Sequence, residues 1–340
     1  MELMRRRVRG GCDDGSGPDG GGGARLGVRR GSAWLLTLGC ALSALSMVAC
    51  GGAATPAAEV PVAEAPRPRN AAALAQEIAG GKVSVLVYAE RARGHALAAQ
   101  LARMNLWGPL LDGTGIDPEK NLLRAFVTAP SLRAEREAVI VLEHDLTPEK
   151  LQAGLDTLKG RSNPPAVELE GLGVPATQVT IQGHTRVVAV VEPSFLVVLP
   201  ESKAKLAKRF VGTGGFPDPE GPEAAVATAL EPAKTLRMQY VPRVPETVRS
   251  LSLDVVLDKS GAVDLLFDGP SESPEQARSD AAELTEGVDR ATSYKVAILK
   301  IRLFDPIVFT AEADRVKAKR RLTPKEIDQL FGLLSALTPR

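Results

Sequence analysis

The chain runs to 340 residues, 44% of them apolar and 24% charged, with 42 basic and 41 acidic side chains and a formal charge of +1. That suffices for one large or two ordinary folded domains. A near-balanced charge lacks the basic surplus that neutralising a phosphate backbone requires, which excludes nucleic acid as a partner.

Taken in chain order, the first 27 residues, with Asp13, Asp14, Asp19 and the run Gly20 to Gly23, read as an extended leader, or as untranslated if synthesis starts at Val28. Gly31 to Val48 (GSAWLLTLGCALSALSMV) is an apolar stretch behind Arg29-Arg30 and ahead of small residues, the order of an export signal. Its end, Met47-Val48-Ala49-Cys50, resembles the lipobox of bacterial lipoproteins, with Met47 where Leu is usual. The resemblance covers the export segment only. It implies removal of residues 1–49 and lipidation of Cys50 as the new N-terminus; Arg29-Arg30 hints at twin-arginine export, but Gly31-Ser32-Ala33 does not continue that motif, and the general secretory route is the expectation.

Removal also discards Cys12, Cys40, seven Arg and four acids, leaving 35 basic against 37 acidic residues and one cysteine. A single thiol forms no intramolecular disulfide and no cysteine zinc site, and a thioether to lipid would cap it. Gly51 to Arg69 (GGAATPAAEVPVAEAPRPR) is a Gly, Ala and Pro tether without apolar periodicity. Gly51, standing where an Asp would resemble an inner-membrane retention signal, points to a lipid anchor in the outer membrane with the body facing the periplasm. Beyond Cys50, charge, Pro or Gly interrupts every apolar run well before the roughly 18 residues of a membrane-spanning helix.

In the body, Lys82 to Tyr88 reads as an interior strand, apolar on both faces. His95 to Met104 reads as a helix, and Leu122 to Thr128 and Ala138 to Glu143 as strands. Thr147-Pro148-Glu149, Ser273-Pro274-Glu275 and Thr323-Pro324-Lys325 each join a capping hydroxyl to a proline at the first helical position, and Asp117-Pro118-Glu119 is a fourth start. Thr185 to Val191 and Phe195 to Leu199 form strands across Glu192-Pro193-Ser194, followed by a basic helix, Glu201 to Phe210. Gly212 to Pro222 is a loop, and Leu251 to Leu257 with Ala262 to Asp268 a hairpin.

These elements predict an α+β fold with a mainly antiparallel sheet and amphipathic helices. They divide the mature chain into a first half (70–165), a middle segment that inserts or bridges (166–245) and a second half (246–340). A shift of 176 residues lays Leu122-Leu123-Arg124 on Ile298-Leu299-Lys300 and Leu146-Thr147-Pro148 on Leu322-Thr323-Pro324, which suggests remotely related halves.

No nucleophile elbow, phosphate loop, zinc helix or calcium loop occurs, so neither catalytic residue, cofactor nor metal is assigned. His95, His144 and His184 lie on different elements; His144, between Glu143 and Asp145, reads as a strand end meeting water. The Gly-rich loop follows the basic helix, the reverse of a phosphate cradle. In Arg315 to Arg321 (RVKAKRR), Arg315, Lys317, Lys319 and Arg320 suggest a basic strand face that could grip an envelope protein or an anionic glycolipid, or simply guard an edge strand. A non-catalytic, membrane-anchored binding or structural module is the first reading. An envelope hydrolase that cuts glycan or peptidoglycan with dispersed carboxylates is the alternative. The mature protein extracted from membranes is expected to begin at Cys50 and to carry diacylglyceryl mass; mass spectrometry showing an unmodified N-terminus elsewhere would contradict the lipobox.

Overall fold

The computed structural model describes residues 70–103, 108–181, 183–191, 194–238, 241–296, 299–302 and 305–337. The export segment, Cys50 and the tether lie outside them, as do Glu192-Pro193 of the expected turn and Ile298 of the expected repeat.

Helix α1 (Ala71–Ala79) starts where the Asn70 side chain accepts the Ala73 amide at 2.8 Å, and ends at Gly80 with φ of +62°, the left-handed geometry that glycine adopts without strain. Strand β1 (Val83–Tyr88) leads through a short helix at Ala89–Ala92, α2 (Ala96–Arg103) and short helices at Gly108–Leu111 and Pro118–Asn121 to strands β2 (Leu122–Ala129) and β3 (Val139–His144). Helix α3 (Pro148–Gly160) precedes β4 (Val167–Glu168), β5 (Ala176–Ile181), β6 (His184–Val191) and β7 (Phe195–Pro200). A 3-10 segment, Glu201–Phe210, and the Gly-rich loop lead to β8 (Glu223–Leu230). Then come β9 (Ser250–Leu257), β10 (Val263–Pro270), α4 (Pro274–Ala291), a small hairpin of β11 (Ser293–Val296) and β12 (Leu299–Arg302), β13 (Thr310–Glu312), β14 (Arg315–Leu322) and α5 (Pro324–Leu337).

The helix starts behave as their sequences require. Asp117, Thr147, Ser273 and Thr323 each accept a backbone amide two or three residues on, and Glu326 returns a bond to the Thr323 amide, completing a capping box.

Twelve strands form one sheet in the order β13-β14-β10-β9-β8-β1-β2-β3-β7-β6-β5-β4, every pairing antiparallel. The fold is α+β. The residues of the expected middle segment divide between the halves: β4 to β7 extend the first half outward from β3, while β8 pairs with β9 of the second half and with β1 of the first.

A different repeat from the 176-residue shift follows. β1, β2, β3, α3 and β7, which pairs with β3, stand in the same order and pairing as β8, β9, β10, α4 and β14, which pairs with β10. Thr147 therefore corresponds to Ser273, not Thr323. The shift fails because strand, hydroxyl, proline recurs three times, and the signal cannot say which two copies correspond.

Alternation sorts side chains onto two sheet faces. On one face, α4, α5 and Leu97 of α2 cover Leu251, Leu253, Leu265, Phe267 and Val316 in the second half. On that same face, α3 and the Gly108–Leu111 helix cover Ala125, Leu142, Leu196 and Val198 in the first half. On the opposite face, α1, the 3-10 segment and Phe216 cover Leu86, Phe126, Val141 and Val197 in the first half. Among the described residues the second half has no helix over that face: the helices packed on β9, β10 and β14 all lie on the first face.

One polar knot fixes α4. The buried Asp280 carboxylate accepts the Thr247 hydroxyl at 2.7 Å, the Gln276 amide at 2.8 Å and the Ser271 hydroxyl, tying the helix to the end of β10 and to the segment before β9. Asp280→Ala would orphan donors in a buried site and is expected to destabilise the protein by about 3 kcal/mol in denaturant melts, against less than half that for Asp280→Asn.

Candidate functional site

Strand β14 alternates small apolar and basic residues. Val316, Ala318 and Leu322 enter the core under α4 and α5, which turns Arg315, Lys317, Lys319 and Arg321 to the uncovered face. Arg320 has the other parity. It lies on the covered face, where its guanidinium meets Glu326 of α5 and Asp305 at 3.6 Å. The expected basic set is thereby corrected: Arg321 replaces Arg320, because strand alternation separates neighbours.

The face is not uniformly basic. Register places three cross-strand rows on it. One runs Val226, Asp254, Leu266, Lys319, with Thr228, Ser252, Asp268, Lys317 on one side and Val256, Asp264, Arg321 on the other. Arg315 grips Asp268 with two nitrogens at 2.7 and 2.5 Å, which holds its guanidinium firmly protonated. Lys317 meets Glu312 at 2.5 Å, and Arg321 meets Asp258 and, at 3.2 Å, Asp264. Lys319 and Asp254 alone of these charges have no partner among the described residues, and they flank Leu266. Asp254 is half-buried; burial first, then the Glu223 and Asp268 carboxylates, push its carboxyl above the ordinary range. Ser252 is fully buried between Thr228 and Asp268, its hydroxyl unpartnered.

The acids on this face escaped the sequence reading, although LSLDVVL and VDLLFDG place Ser252, Asp254, Asp264 and Asp268 at alternate positions; apolar content was counted there and the polar positions were not.

A second polar cluster lies where the two halves meet. Tyr88, nearly fully buried, has the Arg91 guanidinium 5.4 Å and that of Arg124 6.0 Å from its ring centre. Arg124 donates to the Phe216 carbonyl at 2.9 Å and to Asp218 at 3.1 Å, with Glu143 at 3.5 Å; Arg91 donates to the Gly221 carbonyl at 2.5 Å and that of Glu223 at 2.9 Å. Burial raises the Glu143 carboxyl, and Arg124 opposes the shift. Burial, with Glu223, raises the Tyr88 phenol. Each arginine donates to a carbonyl of the Gly-rich loop, Arg124 to Phe216 and Arg91 to Gly221, so the cluster fastens that loop over the first-half core.

Contrary to the expected strand end in water, the His144 ring is buried at 4% exposure. The β2–β3 pairing holds it opposite Leu122; its Nδ1 accepts the Leu146 amide at 3.3 Å and its Nε2 has no partner. Burial lowers its pKa, with Asp145 opposing. His95 caps the start of α2, accepting the Leu97 amide at Nδ1 and donating from Nε2 to the Asp258 carbonyl at 3.1 Å. His184 opens β6, in the field of Glu135. Among the described residues no three His, Cys, Asp or Glu side chains are grouped to hold a metal ion, and no helix is long and apolar enough to cross a membrane.

No family model matches the chain, and no curated protein matches it. One solved structure, described as crystal form I of TP0453, resembles it at 9% identity with a TM-score of 0.43, over 78% of this chain and 98% of that one. A likeness at that level carries no argument about activity.

The buried imidazole gives a signed prediction. With its folded pKa below the unfolded value of about 6.5, the unfolded chain binds a proton that the folded one refuses, so stability falls as pH drops below about 6.5. His144→Asn keeps an acceptor near the Nδ1 position and does not titrate there. The wild type is expected to lose up to about 1.4 kcal/mol per pH unit more than this variant between pH 6.5 and 5 in denaturant melts, and parallel curves would contradict the assignment.

Proposed function

We propose that the chain is a lipid-anchored protein of the bacterial cell envelope, held at the outer membrane through Cys50, whose periplasmic body is a non-catalytic docking module. The anchor rests on the resemblance of Met47-Val48-Ala49-Cys50 to a lipobox and on the tether after it. The docking role rests on one observation. Among the described residues three of the four half-faces of the sheet are covered by helices, and the fourth presents Val256 and Leu266 among balanced charges.

That balance chooses between partner classes. A basic face would suit an anionic glycolipid, but here Arg315, Lys317 and Arg321 are already matched by Asp268, Glu312, Asp258 and Asp264. A mosaic of both signs around apolar side chains is the chemistry of a protein contact. The hydrolase alternative draws less support: of the half-buried carboxylates outside this face that burial shifts upward, Glu143 is engaged by Arg124 beneath a fastened loop, and Glu135 lies in the field of His184, Arg136 and Arg186.

A photo-crosslinking residue at Leu266 in intact cells is expected to capture protein, one at Glu283 on exposed α4 is not, and the protein should sediment with outer-membrane markers. Equal capture at both positions, or lipid adducts at Leu266, would contradict the docking surface. Sedimentation with the inner membrane would contradict the location.

A further inference from the structure

The open face has an internal order that selects its occupant. Its acids, Asp254, Asp264 and Asp268, stand on β9 and β10, and its bases, Arg315, Lys317, Lys319 and Arg321, stand in one file on the neighbouring β14. An acidic file beside a basic file is the pattern that a copy turned through 180° complements. We propose that this face packs against the same face of a second copy of the chain, about a twofold axis running along the strands between β10 and β14.

This rests on the docking reading above and names its partner. The axis lays β10 of one copy on β14 of the other, so that Asp264 meets the copy's Arg321 and Asp268 its Lys317, and each contact occurs twice, as an isologous interface requires. The Asp264–Arg321 ion pair of each copy, and its cross-strand neighbours Asp268 and Lys317, become four-membered groups of alternating sign. The two charges that have no partner within one chain find one across the axis: Lys319 of the copy stands over Leu266, beside Asp254. A partner of uniform charge would be repelled by half of the face. A copy is repelled by none of it.

Size sets the strength. Three strands of eight residues cover about 14 by 26 Å, or about 400 Å², roughly half of what a stable interface buries on each partner. Association in dilute solution is therefore weak, and it strengthens when anchors confine both copies to one membrane, which raises their effective concentration towards the millimolar range.

The test uses the mature lipidated chain in vesicles of phosphatidylethanolamine and phosphatidylglycerol, with energy transfer read between donor-tagged and acceptor-tagged populations. Transfer is expected to rise with surface density. Lys319→Glu, at an exposed position, should raise the density needed for half-maximal transfer about tenfold or more, and Asp254→Lys should do the same. Mixing the two variants should restore the wild-type curve, since each then meets an opposite charge. If Asp254→Lys melts early, the wild-type salt titration takes its place: transfer should fall steeply between about 50 and 500 mM salt. No transfer at any density, or transfer indifferent to Lys319→Glu and to salt, overturns the proposal. If transfer is absent while Leu266 crosslinks to a different envelope protein, the second copy is refuted and the docking module stands.

Discussion

The pairing of β1 with β8 is the constraint on which the rest of this fold depends. Val83 opposite Ala229 through Val87 opposite Ala225 converts two half-sheets, each ending in a bare strand, into one sheet of twelve. Unpaired, β1 and β8 would be long apolar edges, the kind that aggregate. Polar bonds lock the register, because the Ser84 and Thr228 hydroxyls lie 2.6 Å apart within the seam and the Leu230 amide donates to the Lys82 carbonyl at 2.7 Å beyond it. A slip of one residue would turn every side chain of a half to the wrong face.

Because the seam joins halves of similar topology, their differences carry information. Both halves place a helix begun by Thr or Ser and Pro on the same face of the sheet. On the other face they diverge. The first half puts Leu86, Phe126, Val139 and Val141 under α1 and the 3-10 segment; the second puts Asp264, Leu266 and Asp268 where β3 has Val139, Val141 and Glu143. Apolar rows under helices make a core, and the charged rows, without a helix over them among the described residues, are where the proposed contact lies. The Arg124 and Tyr88 cluster closes the border between these regimes by pinning the Gly-rich loop over the covered side.

Much of the architecture was legible locally. The interior character of Lys82 to Tyr88, the four capped helix starts and the second-half hairpin follow from β-branched runs, capping hydroxyls and prolines, which act within a few residues. Strand β8 was not legible: Glu223-Ala224-Ala225-Val226-Ala227-Thr228-Ala229-Leu230 has little β propensity and is held extended by its neighbours on both sides, a tertiary effect. His144 was misjudged for a related reason. Flanking charges suggested water, but strand alternation turns Glu143 and His144 to opposite faces, and only the packed fold shows that the imidazole is enclosed. The basic strand was found and its neutralising acids were not, since Asp264 and Asp268 come from β10 and Asp258 from the turn before it, joined to β14 by pairing and not by nearness in sequence.

The central claim is that the charged face of the second half is a contact surface in the envelope and not a solvated one. Carbodiimide labelling of carboxylates, compared between intact envelopes and dilute detergent solution, tests it directly. If the face is engaged, Asp254, Asp264 and Asp268 will be shielded in envelopes and label on dilution, while Glu275, whose side chain is 77% exposed on α4, labels alike in both. Equal labelling of the three aspartates under both conditions would contradict the account.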